Sequence, residues 1–261
     1  MSDDWLHTSI GHATEEAIVL RGRDLAGELM GRMSFSDLAF FLTAGREPSA
    51  GESVMFDAIL VSLADHGLTP TALATRFTFT GAPESVQGAI AAGLLGAGSV
   101  FLGPVEDTAR FLSGILAGAP SDDDDALRAA ADEAVRSVGA RGARVPGLGH
   151  PIHKATDPRA PRLYQLGKET GTLGPHLRLL EAVAEAQAAT GKRLPINGAG
   201  AAGAALADLG FEAFIARGFA VLARVAGLIA HLAEEAADPI GMRLWREVDG
   251  RASGTGRDAT S

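Results

Sequence analysis

The chain has 261 residues, 46% hydrophobic and 21% charged, with 23 Lys and Arg against 32 Asp and Glu, a formal net charge of −9. This is the length and composition of a folded chain, one large domain or two smaller ones, and the acidic balance argues against a general nucleic-acid binder, whose affinity comes from clustered positive charge. With no cysteine there is no disulfide, thiolate nucleophile or Cys-ligated metal centre, so His, Asp, Glu, Arg and Asn are left for chemistry.

The first residues, MSDDWLHTSIGH, are acidic and polar, unlike the basic lead of a signal peptide. No apolar run reaches the roughly 18 residues of a membrane span. The expectation is a cytoplasmic protein with no membrane. Strand signals are scarce. From Val54 to His66, Phe56, Ile59, Leu60, Leu63 and His66 recur at spacings of three and four, a helix face that stops at Gly67 with Pro70 beyond. Ser121 followed by Asp122 to Asp125 reads as a helix N-terminus, where a cap and early carboxylates suit the unpaired N–H groups. Leu177, Leu180, Val183 and Ala184 form another helical stripe, and Leu222, Val225, Ile229 and Leu232 a third. The last stretch, 250–261, reads as a flexible tail. The fold class is all-α. Glycine, 33 of 261 residues, points to helices packed closely or to backbone brought near a ligand.

One segment breaks the helical pattern. Arg141 to Pro161, RGARVPGLGHPIHKATDPRAP, carries four prolines, three glycines and two histidines, the makeup of a fixed functional loop. His150, His153 and Asp157 could be read as metal ligands, but Pro151 and Pro158 prevent a regular helix there, and no metal is expected. His150, Lys154 and Arg159 better fit an anionic small molecule, since Arg grips carboxylate bidentately and Lys offers a point charge. Gly198, Gly200 and Gly203 in NGAGAAG match a dinucleotide fingerprint, yet no strand precedes them; they read as close packing or a helix N-terminus against a ligand. His66 taken alone is a packed histidine. Arg224 and His231 lie seven apart on one helix, and Arg224 sits beside apolar Leu222 and Val225, where an unpaired charge is expensive. It should meet an anion, from the protein or from a ligand.

Several fragments together resemble the citrate synthase superfamily. PGLGHPIHKATDPRAPRL, Pro146 to Leu163, resembles its signature loop, with nine residues from His150 to Arg159. LRGRDLAGELMGRMSFSDLAFFLTAGREPS near the N-terminus, ADHGLTPTALATR from Ala64 to Arg76, and RVAGLIAHLAEE from Arg224 to Glu235 resemble three more of its blocks, in order. The compact length is similar to its short bacterial citryl-CoA lyases.

The resemblance implies an all-helical homodimer with an active site between a large domain, 1–106 and 201–249, and a smaller inserted domain, 107–200. It implies coenzyme A thioester chemistry: the bond between an acetyl-CoA enolate and oxaloacetate is cleaved or formed. A related lyase or synthase acting on another 3-hydroxy-3-carboxyacyl thioester, or a non-catalytic CoA or polycarboxylate binder, is the alternative. Carried over, His66 and His150 bind the oxaloacetate or citryl group, and Arg159 and Arg224 hold its carboxylates. Arg243 reaches the partner subunit's site, and Val145, Pro146, Gly147, Leu148 and Gly149 with Lys154 contact coenzyme A. Two positions depart: Glu106 stands where the family has a histidine, and Asn197 where it has an aspartate. The expectation is an exchange of roles, with His150, Glu106 and Asn197 catalytic. Asn197 donates to the enolate oxygen, and Glu106, its pKa raised by burial, moves the proton.

Overall fold

In a computed structural model that describes residues 7–254, the chain opens on a small antiparallel sheet that the sequence did not signal. Its strands, β1 (Gly11–Ala13), β2 (Ile18–Leu20) and β3 (Arg23–Asp24), lie in the order β1-β2-β3. Strands of two or three residues are too short to show a period. The β2–β3 turn puts Arg21 and Gly22 at φ 49° and 80°, the left-handed pair of a tight hairpin. Arg21 then donates from Nε and Nη2 to Leu42 O at 3.0 and 2.7 Å, tying the sheet to the first helix.

After a π-helical turn at Leu25–Leu29 the chain is helical: α1 (Phe35–Ala44), α2 (Ala50–Leu63), α3 (Pro70–Gly81), α4 (Val86–Leu95), α5 (Gly103–Leu116), α6 (Asp124–Ala140), α7 (Arg159–Thr170), α8 (Pro175–Ala189), α9 (Gly198–Asp208), α10 (Ala213–Ala237) and α11 (Gly241–Ser253). Local chemistry sets several starts. Ser49 and Glu52 form a reciprocal capping box on α2. Asp123, two residues past Ser121, is the cap of α6, accepting from Asp125 N and Ala126 N. The C-terminal helix runs to Ser253, so residues 250–253 are its last turn rather than a tail; 255–261 lie outside the described residues.

The core is continuous from Phe40 to Ala223. At one end Phe40, Phe56, Phe211 and Phe219 meet with centroids 4.7–5.9 Å apart, each burial stabilising by about 1.5–3 kcal/mol. The expected boundaries at 106/107 and 200/201 fall in the first turns of α5 and α9, and this core crosses both. Helices α5 and α9 approach closely because Gly203 has no side chain: a Cβ there would lie 2.3 Å from Val105 O.

Helix α10 runs through the centre, touching α2, α3, α4, α5 and α9. By length and composition it could cross a membrane, which the sequence reading did not anticipate. Its buried face carries Arg224, His231 and Glu235, the marks of a core helix that positions chemistry. That face is rotated from the expected stripe: Leu232 is buried, Leu222 and Val225 are half-buried, and Ile229 is 51% exposed.

Candidate active site

Three residues on one face of α10 receive three consecutive residues at the end of α2. Arg224 Nη2 donates to Leu63 O at 3.1 Å, and His231 Nε2 bonds Asp65 Oδ1 at 2.9 Å. Between them a Cβ on Gly227 would lie 2.2 Å from Ala64 O, so only glycine admits the chain. Helix α2 ends at Leu63, and His66 stands in the loop beyond it, not on the helix face read from the sequence. Behind this loop Arg76, 2% exposed, donates to His231 Nδ1 at 3.2 Å and to Glu235 at 3.0 Å, and also bonds Glu234. With Nδ1 accepting from arginine, His231 carries its proton on Nε2 and gives it to Asp65. This buried chain, which nothing in the sequence indicated beyond the spacing of Arg224 and His231, sets the position from which His66 projects.

The signature loop is pinned from the opposite side. Gly149 N donates to Pro195 O at 2.7 Å, and Asn197 N to Gly147 O at 3.0 Å, with Leu148 bridged to Ile196. Gly147 and Gly149 hold φ of 82° and 80°, left-handed values that cost other residues strain. Asp157, 0% exposed, accepts from Arg159 Nε at 3.0 Å, from Arg159 Nη2 at 2.7 Å and from Gly198 N at 2.7 Å. Burial opposes its charge, but Arg159 and that helix-end N–H hold the carboxyl far below its usual range. One edge of the Arg159 guanidinium is therefore locked, and Nη1, 3.4 Å from Ser62 O, faces away from the clamp.

The fingerprint-like glycines resolve as close packing. A Cβ on Gly198 would lie 2.2 Å from Arg159 Nε, and one on Gly200 2.6 Å from Gly147 Cα. Among the described residues the only pairing that precedes them is the isolated bridge at Ile196, so no nucleotide-binding strand is formed.

Where the two loops meet, His66, His150 and His153 converge, with centroids 5.3, 5.9 and 4.6 Å apart and the candidate nitrogens within 4.8 Å of one another. His153 joined this cluster without being assigned a role from the sequence. Ile152 N and His153 N donate to His150 Nδ1 at 3.1 and 3.0 Å, so the free Nε2 carries the hydrogen. A metal-ligating histidine needs the reverse, an N–H on the far nitrogen facing an acceptor. His150 is thus set to donate to an oxygen-bearing ligand rather than to ligate a cation through Nε2. Burial, and the neighbouring His153, His66 and Arg159, keep the His150 pKa below its usual value against the pull of Asp157.

Arg224 completes the arrangement. It is 7% exposed, its Nε is buried with no hydrogen-bond partner, and among the described residues no carboxylate pairs with it. Burial pushes its pKa down, the nearby Asp65 carboxylate works against this, and Arg159 adds to the shift. Asp65 thus favours the Arg224 charge from a distance, but its hydrogen bond goes to His231.

The remaining expected residues lie close by or apart. Asn197 caps α9: its Oδ1 accepts from Gly200 N at 2.7 Å and its Nδ2 donates to Gly149 O at 2.8 Å, leaving one amide hydrogen. Val145 and Gly147 are buried, Pro146, Leu148 and Gly149 half-buried, and Lys154 Nζ donates to His150 O at 3.2 Å. Arg243 is exposed on α11, which packs against α3 and is joined at Gly241 to Glu235 of α10. Glu106 requires a correction. Its pKa is not raised: the hydrogen bond from Arg110 at 2.5 Å, joined by that from Arg217 at 3.3 Å, outweighs burial and holds it below the usual range. As placed, it is a paired carboxylate with no proton to donate.

Two guanidiniums and three imidazoles gather at the junction of α2, α10 and a glycine-pinned loop in an all-α protein, with no carboxylate ion-paired to Arg224 among the described residues. The chain belongs to the citrate synthase family, since residues 32–247 match the family model described as citrate synthase, C-terminal domain. It is similar to the citryl-CoA lyase of Hydrogenobacter thermophilus, with 31% identity, TM-score 0.83, and 98% of this chain and 93% of that one covered. It shares its fold with the Methanosaeta concilii ATP citrate lyase solved with (3S)-citryl-CoA, at 20% identity and TM-score 0.74, covering 89% of this chain and 39% of that one. The same holds for the citrate synthase of Thermotoga maritima, at 20% identity and TM-score 0.64, covering 79% and 55%. A sequence search of curated proteins gives no match.

Proposed function

We propose that the protein is a citryl-CoA lyase, a cytoplasmic homodimer that cleaves or forms the bond between an acetyl-CoA enolate and oxaloacetate. The observation that carries this reading is the unpartnered Nε of buried Arg224. A buried guanidinium nitrogen without an acceptor is costly, and a ligand carboxylate supplies the one that Nε lacks. Arg159, pre-set by Asp157, takes the second carboxylate through the edge bearing Nη1, which keeps a long bond to Ser62 O, and His66 adds a donor. His150 gives its Nε2–H to the oxygen that is hydroxyl in the citryl group and carbonyl in oxaloacetate, stabilising charge on it as the bond breaks. The free amide hydrogen of Asn197 serves the thioester enolate oxygen. The backbone from Val145 to Gly149 and Lys154 receive coenzyme A, and Arg243 of α11 reaches the partner subunit's site. Segment 107–200 closes over the bound pair and excludes water.

The test is release of oxaloacetate from citryl-CoA, followed in a coupled assay, beside calorimetry with oxaloacetate. Turnover that Arg224→Met abolishes supports the reading. Binding without turnover makes the protein a non-catalytic relative. Glu106 and Asn197 favour a second reading, a lyase for another 3-hydroxy-3-carboxyacyl thioester, because the carboxylate grips are retained while the proton-handling groups differ.

A further inference from the structure

The two positions at which relatives are expected to move the proton are engaged here. Glu106 is paired to Arg110 and Arg217, and Asn197 is an amide holding a helix end and a loop. His150 is no substitute, because two backbone N–H groups occupy its Nδ1 lone pair and its Nε2 is a donor. His153 differs from all three. Its imidazole is half-buried, stacked on His150 at 4.6 Å and edge-on to His66 at 5.9 Å. Among the described residues no hydrogen bond reaches either of its ring nitrogens.

Cleavage of a citryl thioester takes a proton from the tertiary hydroxyl and gives one to the departing CH2 carbon. Both positions are attached to the same carbon, so one base within reach of either can serve both. We infer that His153 is the catalytic proton carrier of this site, in place of Glu106 and Asn197. Its unprotonated ring nitrogen takes the hydroxyl proton, and the C–O oxygen closes to a carbonyl. The electron pair of the breaking C–C bond moves into the thioester as an enolate. The imidazolium then delivers the same proton to the enolate carbon, leaving the acetyl thioester, the oxo acid and a neutral ring. No further proton, oxidant or reductant enters. His150 meanwhile donates to the oxygen, and Arg159 and Arg224 hold the carboxylates in place.

This inference rests on the lyase reading, and the experiment separates the two. The full-length protein and its His153→Gln, His153→Ala and Glu106→Gln variants are assayed on citryl-CoA, with oxaloacetate affinity measured by calorimetry. The expected result is a fall in kcat of about 100-fold or more for both His153 variants, oxaloacetate affinity within threefold of wild type, partial rescue of His153→Ala by added imidazole, and a smaller loss for Glu106→Gln. A His153→Gln rate within threefold of wild type overturns the assignment, as does a parallel loss of kcat and oxaloacetate affinity, which makes His153 a grip. Complete loss in Glu106→Gln with His153→Gln active returns the proton to Glu106. A wild-type protein that does not turn over citryl-CoA overturns the lyase reading, and the assignment falls with it.

Discussion

Asp157 holds Arg159 through two parallel hydrogen bonds, Nε to Oδ1 at 3.0 Å and Nη2 to Oδ2 at 2.7 Å, while accepting a third from Gly198 N at 2.7 Å. One buried carboxylate thereby fixes the Arg159 side chain and the first turn of α9. Replacing it with asparagine keeps the shape but removes the charge and one acceptor. Asp157→Asn is expected to weaken oxaloacetate binding about tenfold, near 1.4 kcal/mol, and to lower stability by about 3 kcal/mol as Arg159 is left partly buried and unpaired. Calorimetry and urea unfolding measure the two; unchanged affinity would show that Arg159 is not oriented by this clamp.

The glycines of NGAGAAG should separate packing from function. A Cβ at Gly203 meets the backbone carbonyl of Val105 at 2.3 Å, which cannot swing aside; at Gly198 it meets the Arg159 side chain at 2.2 Å, which can. Gly203→Ala is therefore expected to cost about 1–3 kcal/mol of stability through overpacking, more than the roughly 1 kcal/mol that alanine gains in a helix. Gly198→Ala should lose less stability and more affinity for oxaloacetate. Thermal melts beside binding isotherms decide it, and the reverse order of effects would count against this account of the motif.

What could be read in advance follows from range along the chain. The nine-residue step from His150 to Arg159 and the seven-residue step from Arg224 to His231 were legible, because each lies within one loop or one helix. The chain Glu235–Arg76–His231–Asp65 was not, since Arg76 and His231 are 155 residues apart and arginine in an amphipathic pattern reads as surface. The stripe on α10 was misjudged for a related reason: the buried face of this helix is where its polar residues sit, and Ile229 is turned outward. Glu106 lies in the first turn of α5, where its two arginine partners, on α5 and α10, reverse the direction expected for its pKa.

The Arg76–Glu235 pair, each 2% exposed, gives a stability test away from the ligand. Arg76→Met strands a buried carboxylate and is expected to cost about 3–5 kcal/mol. Adding Glu235→Leu removes the stranded charge and should recover part of that. It leaves the N–H groups of Ile240 and Gly241, which donate to Glu235 at 3.2 and 2.7 Å, and the Thr80 hydroxyl at 3.4 Å, without this acceptor, at about 1–3 kcal/mol for each buried N–H. Denaturant midpoints of the single and double variants measure the difference; a double variant less stable than Arg76→Met would show that the carboxylate is worth keeping without its arginine.

Arg224 should show the opposite balance. Its guanidinium is buried, lacks a partner at Nε and keeps one bond, to Leu63 O. Arg224→Met, similar in volume, removes a buried charge that only the more distant Asp65 offsets. Melting temperature in the absence of ligand should hold or rise, while oxaloacetate affinity falls at least 100-fold. That combination marks a residue kept for ligand rather than for the fold. A destabilised variant with intact affinity would assign Arg224 to structure.

Acid should reach the histidine cluster before the carboxylate clamp. The folded pKa of His150 lies below its unfolded value of about 6.5, so the stability gained by keeping it neutral is complete above pH 6.5. That gain shrinks as pH falls below 6.5 and the unfolded chain takes up the proton first. The groups facing it are Asp157, which opposes the shift, and His153, His66 and Arg159, which favour it. For Asp157 the folded pKa is depressed, so its contribution is present above about pH 3.9 and is lost only as pH falls through the far lower native value. Between pH 6.5 and 4 the wild type should therefore lose more stability than His150→Asn, with Asp157 still ionised in both. Protonating His150 would set a hydrogen on Nδ1 against the Ile152 and His153 N–H groups, so its own contribution to the acid limb of kcat/KM should lie below pH 6.5. Urea unfolding at pH 7.5, 6.0 and 5.0 together with the rate profile tests both statements, and equal losses in the two proteins would remove His150 as the origin of the acid sensitivity.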